Sequence, residues 1–328
     1  MLICFGTRPE YVKIKPVINA IKGHIPYKLI FTGQHIDLLS HIDEPVQKLT
    51  IAPGENRLDS IVESLMNTTP DIFADVTSAL VQGDTTSVFA IALGAFHRNI
   101  KIIHLEAGLR TYNKDHPYPE EFNRRAVSCM ADIHLCPTQD AASNLKQERV
   151  DGKSFVVGNT VLDHLLEIPT SYGKDIIVTL HRRENHRIMK SWFLTIDEIA
   201  AAYPQYNFVL PIHPNPNVKK HQHLLKHVKV IDPLPHDKFV RLMADAHLII
   251  TDSGGLQEES SFLRKKCIVC REFTERIEGM GTFSFTATPD TLWETFKELV
   301  DDQIPEGDCP YGDGRSANKI RNILVAEL

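Results

Sequence analysis

Short apolar runs alternate with longer amphipathic stretches over the first half of the chain. The run LICF at 2–5 is followed by a stretch that opens at Pro9, a residue well suited to the first turn of a helix. The apolar face that this stretch predicts consists of Val12, Ile14, Val17, Ile18 and Ile21. The same order recurs around KLIFTG, SALVQGD and IKIIHLEAG. Strands that alternate with helices predict a parallel sheet covered by helices on both faces.

The pattern restarts after a turn-rich segment, SYGKD at 171–175, and continues through IIVTLH, NFVLPIH, VKVID, HLIITDSGG and KCIVCRE. We therefore predict two doubly wound α/β domains, one over 1–165 and one over 166–315, joined near 160–175. The last stretch, 316–328, has a helical pattern and is expected to pack back on the N-terminal domain. We find no internal repeat and no low-complexity segment.

Polar residues follow the apolar runs in both halves. These strand-end segments are Gly6-Thr7-Arg8, Gly33-Gln34-His35, Gly83-Asp84-Thr85, Glu106-Ala107-Gly108, His181-Arg182-Arg183-Glu184, His213 and Asp252-Ser253-Gly254-Gly255. Ligands of doubly wound folds bind beyond the carboxyl ends of the strands. So many polar strand ends predict a ligand site in a cleft between two sheets.

Composition and charge narrow the class of protein. The chain of 328 residues is 42% hydrophobic and 24% charged, as in a globular protein, and its formal net charge is −6. That charge gives no footprint for nucleic acid or an anionic membrane surface. The opening MLICFGTRPE lacks the charged start of a signal peptide, and no apolar run approaches about 20 residues. We therefore expect a cytoplasmic enzyme that binds neither nucleic acid nor membrane.

Cysteine and histidine patterns give no sign of a metal or redox centre. Cys267 and Cys270 form a C-x-x-C inside the apolar run CIVC, without a second pair, which favours buried strand cysteines over a zinc or redox pair. The histidines at 221, 223 and 227 have helix-like spacing and are expected on a solvated face. We expect neither a metal nor an organic cofactor.

The segment TDSGGLQEE at 251–259 follows a strand and opens a helix. Backbone N–H groups of Ser253, Gly254 and Gly255 would face a phosphate at the positive helix end, although a simple helix cap with turn glycines gives the same pattern. Glu258 and Glu259 would either stabilise the helix start or accept the hydroxyls of a ribose. Taken alone, the segment indicates a nucleotide site without excluding the simple cap.

Further candidate site residues are charged residues near other predicted strand ends and Glu120, in the loop-like segment HPYPEEFNRR. Arg8, Lys13 and Arg276 are candidate partners of a diphosphate, or else ordinary surface cations. Asp84, Glu106 and Glu120 are candidate acid–base groups, for which burial or mutual crowding would raise the pKa. His181 and His213 each follow an apolar run, where a ligand contact competes with a structural role. Neither G-x-G-x-x-G nor a Walker motif occurs, which argues against a dinucleotide fold or a P-loop NTPase.

These segments together resemble the non-hydrolysing UDP-N-acetylglucosamine 2-epimerases nearly from end to end. The matching motifs, in order, are FGTRPE, TGQH, QGDTTS, HLEAGLRT, PYPEEFNRR, VGNTVLD, LHRRENH, PIHPNPNV, TDSGGLQEE, TER and PYGDG. The resemblance implies a GT-B-like pair of Rossmann-type domains with the active site in the cleft between them, and a homodimer. It also implies interconversion of UDP-GlcNAc and UDP-ManNAc through removal of the C2 proton, elimination of UDP and re-addition to a glycal. Such a route needs no NAD.

The resemblance also assigns roles. It implies that the catalytic residues are Asp84, Glu106, Glu120, His181 and Lys13. It implies that UDP is held by Arg8, His181, Ser253, Gly254, Gly255, Glu259 and Arg276, with Glu259 on the ribose. A second, regulatory site for UDP-GlcNAc would involve Gln34, His35, Arg182 and His213.

Some segments depart from the family pattern. The segment after TGQH is short, Asp37 stands where many bacterial members have Gln, TERIEG replaces TERPE, and Leu180 replaces a Gly of some members. The alternatives that stay open are a C2-epimerase of a UDP-2-acetamido-2,6-dideoxyhexose, a hydrolysing 2-epimerase, a GT-B glycosyltransferase and a non-catalytic UDP-sugar sensor.

Overall fold

A computed structural model describes residues 1–33, 42, 44–272, 274–302 and 304–328. The chain divides into two compact units. Unit 1 consists of Met1–Asp163 and Gly314–Leu328, and unit 2 consists of His164–Asp313. Each unit has its own sheet and its own apolar core.

Unit 1 is built on a seven-stranded parallel sheet with the order β3-β2-β1-β4-β5-β6-β7. Its strands are β1 (Leu2–Phe5), β2 (Lys28–Phe31), β3 (Gln47–Lys48), β4 (Ser78–Gln82), β5 (Lys101–Leu105), β6 (Ile133–Cys136) and β7 (Lys153–Val156). Its helices are α1 (Arg8–Ile21), α2 (Arg57–Ile72), α3 (Thr86–Phe96), α4 (Glu120–Met130), α5 (Gln139–Gln147) and, at the far end of the chain, α11 (Ser316–Glu327). The strand order reverses between β1 and β4, where doubly wound folds bind ligands.

Helix α1 begins at Arg8 because Thr7 and Glu10 form a reciprocal capping box. The buried face of α1 includes Ile14, Val17, Ile18 and Ile21, as predicted. Val12, predicted on that face, is half-buried, and Tyr11 is buried there instead. Tyr11 packs its ring against Phe5 of β1, at a centroid distance of 4.9 Å, which gives the face its aromatic end.

Helix α11 packs against α1 within unit 1. Ile320 and Leu324 are fully buried in the same apolar cluster as Ile14. The carboxylate of Asp163 accepts the backbone N–H groups of Ser316 and Ala317 at 3.1 and 2.7 Å, so it satisfies free donors at the start of α11. A cap of this kind typically stabilises a helix by about 1 kcal/mol.

Unit 2 is built on a six-stranded parallel sheet with the order β10-β9-β8-β11-β12-β13. Its strands are β8 (Asp175–Thr179), β9 (Asn207–Pro211), β10 (Lys229–Ile231), β11 (Leu248–Thr251), β12 (Cys267–Val269) and β13 (Ser284–Thr286). Its helices are α6 (Met189–Ala202), α7 (Pro216–Lys219), α8 (His236–Ala244), α9 (Gly254–Phe262) and α10 (Leu292–Leu299). Short 3₁₀ helices cover Thr160–Leu165 across the unit boundary, and Arg183–Asn185 and Gln222–Leu224. Here the strand order reverses between β8 and β11.

The two parallel sheets confirm the predicted α/β class. Cys267 and Cys270 are free and buried, as the apolar run around them predicts. Burial raises the pKa of the Cys267 thiol to about 12, which keeps it protonated and unreactive at neutral pH. Within the ranges given above, no helix has the length and apolar character needed to span a membrane.

Candidate active site

Glu106 lies directly after β5, with φ at 65°, in the left-handed region. Such a backbone costs a non-glycine residue roughly 1–3 kcal/mol and is often kept where a side chain must be aimed. The carboxylate accepts from Lys13 Nζ at 2.7 and 2.6 Å and from Gln82 Nε2 at 2.5 Å. A Cβ at Gly83, after β4, would lie 4.0 Å from Glu106 Oε2. Residues of α1, β4 and β5 therefore meet at one edge of the sheet.

Asp84 follows Gly83 at the same edge and pairs with α4. Its Oδ2 accepts from Arg124 Nε at 2.8 Å and lies 2.6 Å from Arg124 Nη2, while its backbone carbonyl accepts from Asn123 Nδ2. The Asp84 side chain remains about a quarter exposed, whereas that of Arg124 is 6% exposed. The carboxylate is thus held by a buried cation and still reaches solvent.

Glu120 is the first residue of α4 and is half-buried. Residues four apart lie on one face of a helix, so Glu120 shares its face with Arg124, which binds Asp84. Glu121, beside it, is buried and accepts the backbone N–H groups of Thr111 and Tyr112 at 2.9 and 3.0 Å. These hydrogen bonds fix the start of α4 against the loop after β5. They therefore also fix the position of Glu120, the first residue of the helix.

Glu10 links the loops that follow β1 and β4. Its carboxylate accepts from the backbone N–H groups of Gly6 and Thr7 at 2.8 and 2.6 Å and from the Thr85 hydroxyl at 2.7 Å. Burial raises the pKa of Glu10, and these hydrogen bonds oppose the shift. Glu10 thereby holds the two loops on either side of the strand reversal, next to Asp84.

Arg8 does not share a contact with Lys13. Its side chain is exposed on the first turn of α1, whereas Lys13 is half-buried against Glu106. Both cations were candidates to bind one diphosphate, but their surroundings differ. Lys13 forms an ion pair with Glu106, whereas the side chain of Arg8 is exposed to solvent.

In unit 2, Asp252 organises the ends of β8 and β11. It is fully buried and accepts from the backbone N–H groups of His181 and Arg182, both to Oδ2, at 2.9 and 2.8 Å. Asn185 Nδ2 donates to the same oxygen at 3.0 Å. Four groups from one loop thus converge on Asp252, because His181 Nδ1 also lies 3.3 Å from Oδ1.

The imidazole of His181 stacks on that of His213, with ring centroids 5.2 Å apart and planes within 14°. Burial lowers the pKa of His181, and Asp252 opposes the shift. Burial also lowers the pKa of His213, and the neighbouring His181 adds to the effect. The ion-pair contact with Asp252 involves Nδ1 of His181, so that Nε2 is the ring nitrogen that Asp252 does not engage.

The start of α9 has the features of an anion site. Ser253 occupies the cap position, yet in the described structure its side chain makes no capping hydrogen bond. This argues against the simple-cap interpretation of TDSGG. A Cβ at Gly254 would lie 2.5 Å from Arg276 Nη1, so the missing side chain is what admits the guanidinium to this helix end.

Arg276 belongs to a buried ion-pair network. Its Nε donates to Glu258 Oε1 at 2.9 Å, and its Nη1 contacts Glu275. Glu275 also accepts from Arg271, whose Nε binds Glu184 at 2.7 Å. Burial lowers the pKa of Arg182, and the nearby charge of Arg271 adds to the effect. The helix end is therefore rich in cations that are fixed by carboxylates.

Glu259 lies one turn further along α9 and is 3% exposed. Its Oε1 lies 3.1 Å from His236 Nε2, at the first residue of α8. The Glu259 carboxylate therefore contacts α8, whereas Glu258, beside it in the chain, binds Arg276.

The model of the UDP-N-acetylglucosamine 2-epimerase family matches residues 19–325. The chain belongs to this family. The prediction made from its motifs is confirmed. The UDP-N-acetylglucosamine 2-epimerase of Neisseria meningitidis is 36% identical, and the alignment covers 99% of both chains. That of Bacillus subtilis is 35% identical, with coverage of 99% of this chain and 94% of the relative.

Solved structures of the family have the same fold. A crystal structure of the Neisseria meningitidis enzyme bound to UDP-GlcNAc matches with a TM-score of 0.90 at 35% identity, over 99% of each chain. The Methanocaldococcus jannaschii enzyme in complex with UDP-GlcNAc and UDP matches with a TM-score of 0.83 at 29% identity, again over 99% of each chain. The predicted GT-B-like pair of Rossmann-type domains is confirmed.

For this family member, the predicted site residues fall into groups within each unit. In unit 1, Asp84 and Glu106 lie at neighbouring strand ends, and Lys13 of α1 binds Glu106. Glu120 lies on the helix whose Arg124 binds Asp84. In unit 2, Arg182 and His213, predicted for a regulatory site, lie beside His181. Gln34 and His35, predicted for the same site, fall outside the described residues, as does Asp37.

Several residues of these sites were missed from the sequence. Gln82, Arg124 and Asp252 each hold a predicted site residue. Two signals were present: Asp252 follows the buried strand LIIT directly, and Arg124 stands four residues after Glu120. The loop-like segment predicted around Glu120 is the start of α4 in the structure, which puts the two residues on one helix face. A charged side chain in a buried position needs an oppositely charged or hydrogen-bonding partner. The predicted site residues nearby were the natural candidates for that partner.

Proposed function

We propose that this chain interconverts UDP-GlcNAc and UDP-ManNAc by C2 epimerisation without hydrolysis. A carboxylate of unit 1 removes the C2 proton, and the electron pair of the C2–H bond forms the C1–C2 double bond. The C1–oxygen bond breaks anti to it, and UDP leaves with the electron pair of that C1–oxygen bond. The resulting glycal is protonated at C2 from the opposite face while UDP adds back to C1. Membership of the family and the 2-acetamido sugar nucleotide bound to the Neisseria meningitidis relative support the substrate.

The observation that carries this proposal is the pairing of two strand-end carboxylates with separate cations. Glu106 is held by Lys13 and Gln82, while Asp84 is held by Arg124 and stays open to solvent. Proton removal and return on opposite faces of one carbon require two separately positioned groups. Asp84 and Glu120, anchored through the same helix, and Glu106, anchored through α1, provide such groups.

Unit 2 is proposed to bind UDP. The diphosphate would take the N–H groups at the start of α9, where the helix dipole and Arg276 both favour negative charge. His181 would contact the diphosphate through Nε2, because Asp252 engages its other nitrogen. Glu259 would accept the ribose hydroxyls. Arg8, exposed on α1, is also proposed to contact UDP.

Regulation and assembly belong to the same proposal. Arg182 and His213 would contribute to a second, activating UDP-GlcNAc site, together with Gln34 and His35. A homodimer is supported by Phe96 and Phe122, which are 55% and 56% exposed on neighbouring helices α3 and α4 of unit 1. We further propose that the enzyme works in the cytoplasm.

Proton NMR of the purified protein with UDP-GlcNAc in heavy water tests the reaction. We expect deuterium at C2 of both sugar nucleotides and the appearance of UDP-ManNAc, because the C2 proton exchanges with solvent through the carboxylate. Release of free ManNAc with UDP would instead identify a hydrolysing enzyme. The absence of both deuterium and new product would exclude UDP-GlcNAc as the substrate.

Removing the exposed cation at the start of α1 should weaken UDP binding. Arg8→Ala is expected to lower the binding free energy of UDP by on the order of 1.5–3 kcal/mol, the value of a charge-assisted hydrogen bond. Arg276→Ala should have a similar effect on binding. The two should differ in stability: Arg276→Ala leaves buried Glu258 and Glu275 short of a cation and lowers the melting temperature, whereas Arg8→Ala does not.

Calorimetry with UDP measures the affinity, and thermal unfolding measures stability. Lys22→Ala, exposed at the other end of α1, is the matched control and should change neither quantity. A UDP affinity of Arg8→Ala equal to that of the control would remove Arg8 from the diphosphate site.

A further inference from the structure

Two histidines and the buried Glu259 form a cluster, and the proposed reaction assigns a role only to Glu259. His164, His236 and Glu259 each offer one ligand atom, and these atoms all lie within 4.8 Å of one another. They come from three elements of unit 2: a 3₁₀ helix, the start of α8 and the middle of α9. The rings of His164 and His236 are 4.9 Å apart between centroids, with planes at 50°.

The donor set and its spacing suit a transition metal. Two imidazole nitrogens and one carboxylate oxygen are ligands of zinc sites with an open fourth position, whereas Mg²⁺ and Ca²⁺ favour all-oxygen sites. Ligand atoms around a tetrahedral zinc ion stand about 3.3–3.5 Å apart, from bonds of about 2.0–2.1 Å. The His236–Glu259 pair is already at 3.1 Å. His164 is exposed, and its ligand nitrogen lies within 4.8 Å of the other two ligand atoms.

A second observation points to a ligand at this place. Among the described residues, Glu259 Oε2 is buried and has no hydrogen-bond partner. A buried carboxylate oxygen left without a donor is costly, and a cation bound to the group removes that cost. The exposed His164 gives an ion a path from solvent, and it leaves the fourth coordination position facing water.

We infer that His164, His236 and Glu259 form a zinc-binding site that excludes UDP when occupied. Zinc on Glu259 takes the carboxylate that would otherwise accept the ribose hydroxyls, so metal and nucleotide compete; this consequence rests on the proposed ribose role of Glu259. The site is inhibitory rather than catalytic, and bound zinc would inhibit the enzyme reversibly.

Titration of the metal-free protein with ZnCl₂, in the absence of any nucleotide, tests the site directly. We expect one zinc ion per chain, with an affinity that falls on the order of 100-fold in His164→Ala and in His236→Ala, because each removes a ligand. His223→Ala, at another exposed histidine of unit 2, is the matched control and should bind zinc unchanged. Equal zinc affinity in all of these proteins would overturn the site. If His236→Ala does not fold, the comparison rests on His164→Ala, because His164 is exposed.

Competition is measured as the ratio of the UDP Kd with and without saturating zinc. A diphosphate chelates zinc by itself, so the effect is taken as the excess of this ratio in the unsubstituted protein over that in His164→Ala. We expect an excess of about tenfold or more, as when one ligand occupies another's carboxylate partner. Zinc binding without any excess would overturn the competition and with it the ribose role of Glu259. Competition in a protein that fails to exchange the C2 proton would uphold the zinc site and refute the proposed reaction instead.

Discussion

Replacing Asp84 with asparagine should lower kcat for C2 epimerisation by about 10²–10⁴-fold, the usual loss when an acid–base group is removed. The affinity for UDP should stay unchanged, because the groups proposed to bind UDP do not include Asp84. The amide keeps the shape of the side chain and can still accept from Arg124, but it cannot take up a proton from C2. Turnover and loss of the C2 proton into heavy water, followed by NMR, measure the effect.

The substitution also removes a charge next to buried Arg124, so stability must be followed together with activity. Arg124 keeps Glu121 at 3.6 Å, and we therefore expect the variant to remain folded with a modestly lower melting temperature. Asp140→Asn, in the exposed first turn of α5, is the matched control and should change neither activity nor stability. A folded Asp84→Asn protein with undiminished turnover would remove Asp84 from the mechanism.

Glu120→Gln should lose activity to the same extent and likewise keep UDP binding. Comparing the two variants separates the groups: the one that removes the C2 proton of UDP-GlcNAc abolishes its exchange with solvent, whereas the other is needed for exchange from UDP-ManNAc. The assignment follows from proton exchange measured in each direction. Exchange at wild-type rates in both variants would transfer the role to Glu106.

The fold could be predicted from the sequence because the signals for it are local. The strands that carry site residues contain short apolar runs, and Gly or a polar residue follows closely, as at LICF-Gly6 and LIIT-Asp252. Periodicity is less precise about which residue faces the core. Tyr11 and Val12 are adjacent in the chain, and in α1 it is Tyr11 that faces Phe5. The larger aromatic side chain buries more apolar surface there than Val12 would.

The sequence indicated candidate site residues, but it did not indicate which of them bind one another. Sequence position gave Glu106 and Lys13 separately, and nothing in their spacing of 93 residues indicates that they bind one another. The sequence left burial and mutual crowding of the carboxylates open, and it did not indicate that Glu106 is bound by a lysine and Asp84 by an arginine. Such partners depend on strand order, which the alternation of strands and helices leaves open.

The burial of two carboxylates, Glu10 and Asp252, was not predicted from the sequence. In the sequence Glu10 is one position of the motif FGTRPE, whereas in the structure its buried carboxylate connects two loops. Asp252 was noted only as a strand-end residue, yet it orients His181. In both cases the backbone N–H groups that the carboxylate satisfies are invisible in the sequence, because every residue carries one.

His104 should make the folded state sensitive to acid. It is fully buried on β5, and its Nε2 lies 2.9 Å from the backbone carbonyl of Gly83, next to Asp84. Since a carbonyl only accepts, Nε2 carries the proton in the neutral ring. Its Nδ1 is buried without a partner among the described residues, so a second proton there would find no acceptor. Burial, the largest cause, lowers the pKa of His104 to about 3, and the charges of His134 and Arg110 add to the effect.

The sign of the effect follows from where the proton binds. In the unfolded chain His104 takes up a proton below about pH 6.5, while in the folded protein it stays neutral down to about pH 3. The stabilising contribution is therefore complete above pH 6.5 and is lost progressively as the pH falls toward 3. A shift of this size corresponds to a loss on the order of 5 kcal/mol at the acid end, at about 1.4 kcal/mol per pKa unit.

Urea unfolding at a series of pH values, compared with His104→Gln, isolates this contribution from other titrating groups. Glutamine can donate to Gly83 but does not titrate, so the variant should lose less stability between pH 6.5 and 3, by the uptake of one proton. Buried Glu10, whose raised pKa acts in the opposite direction, is present in both proteins and cancels in the difference. Exposed His97, at the end of α3, provides the matched control, since His97→Gln should follow the unsubstituted curve. Parallel curves for the protein and His104→Gln would mean that the ring of His104 accepts its second proton in the folded state, and that the end of β4 tolerates a charge beside Asp84.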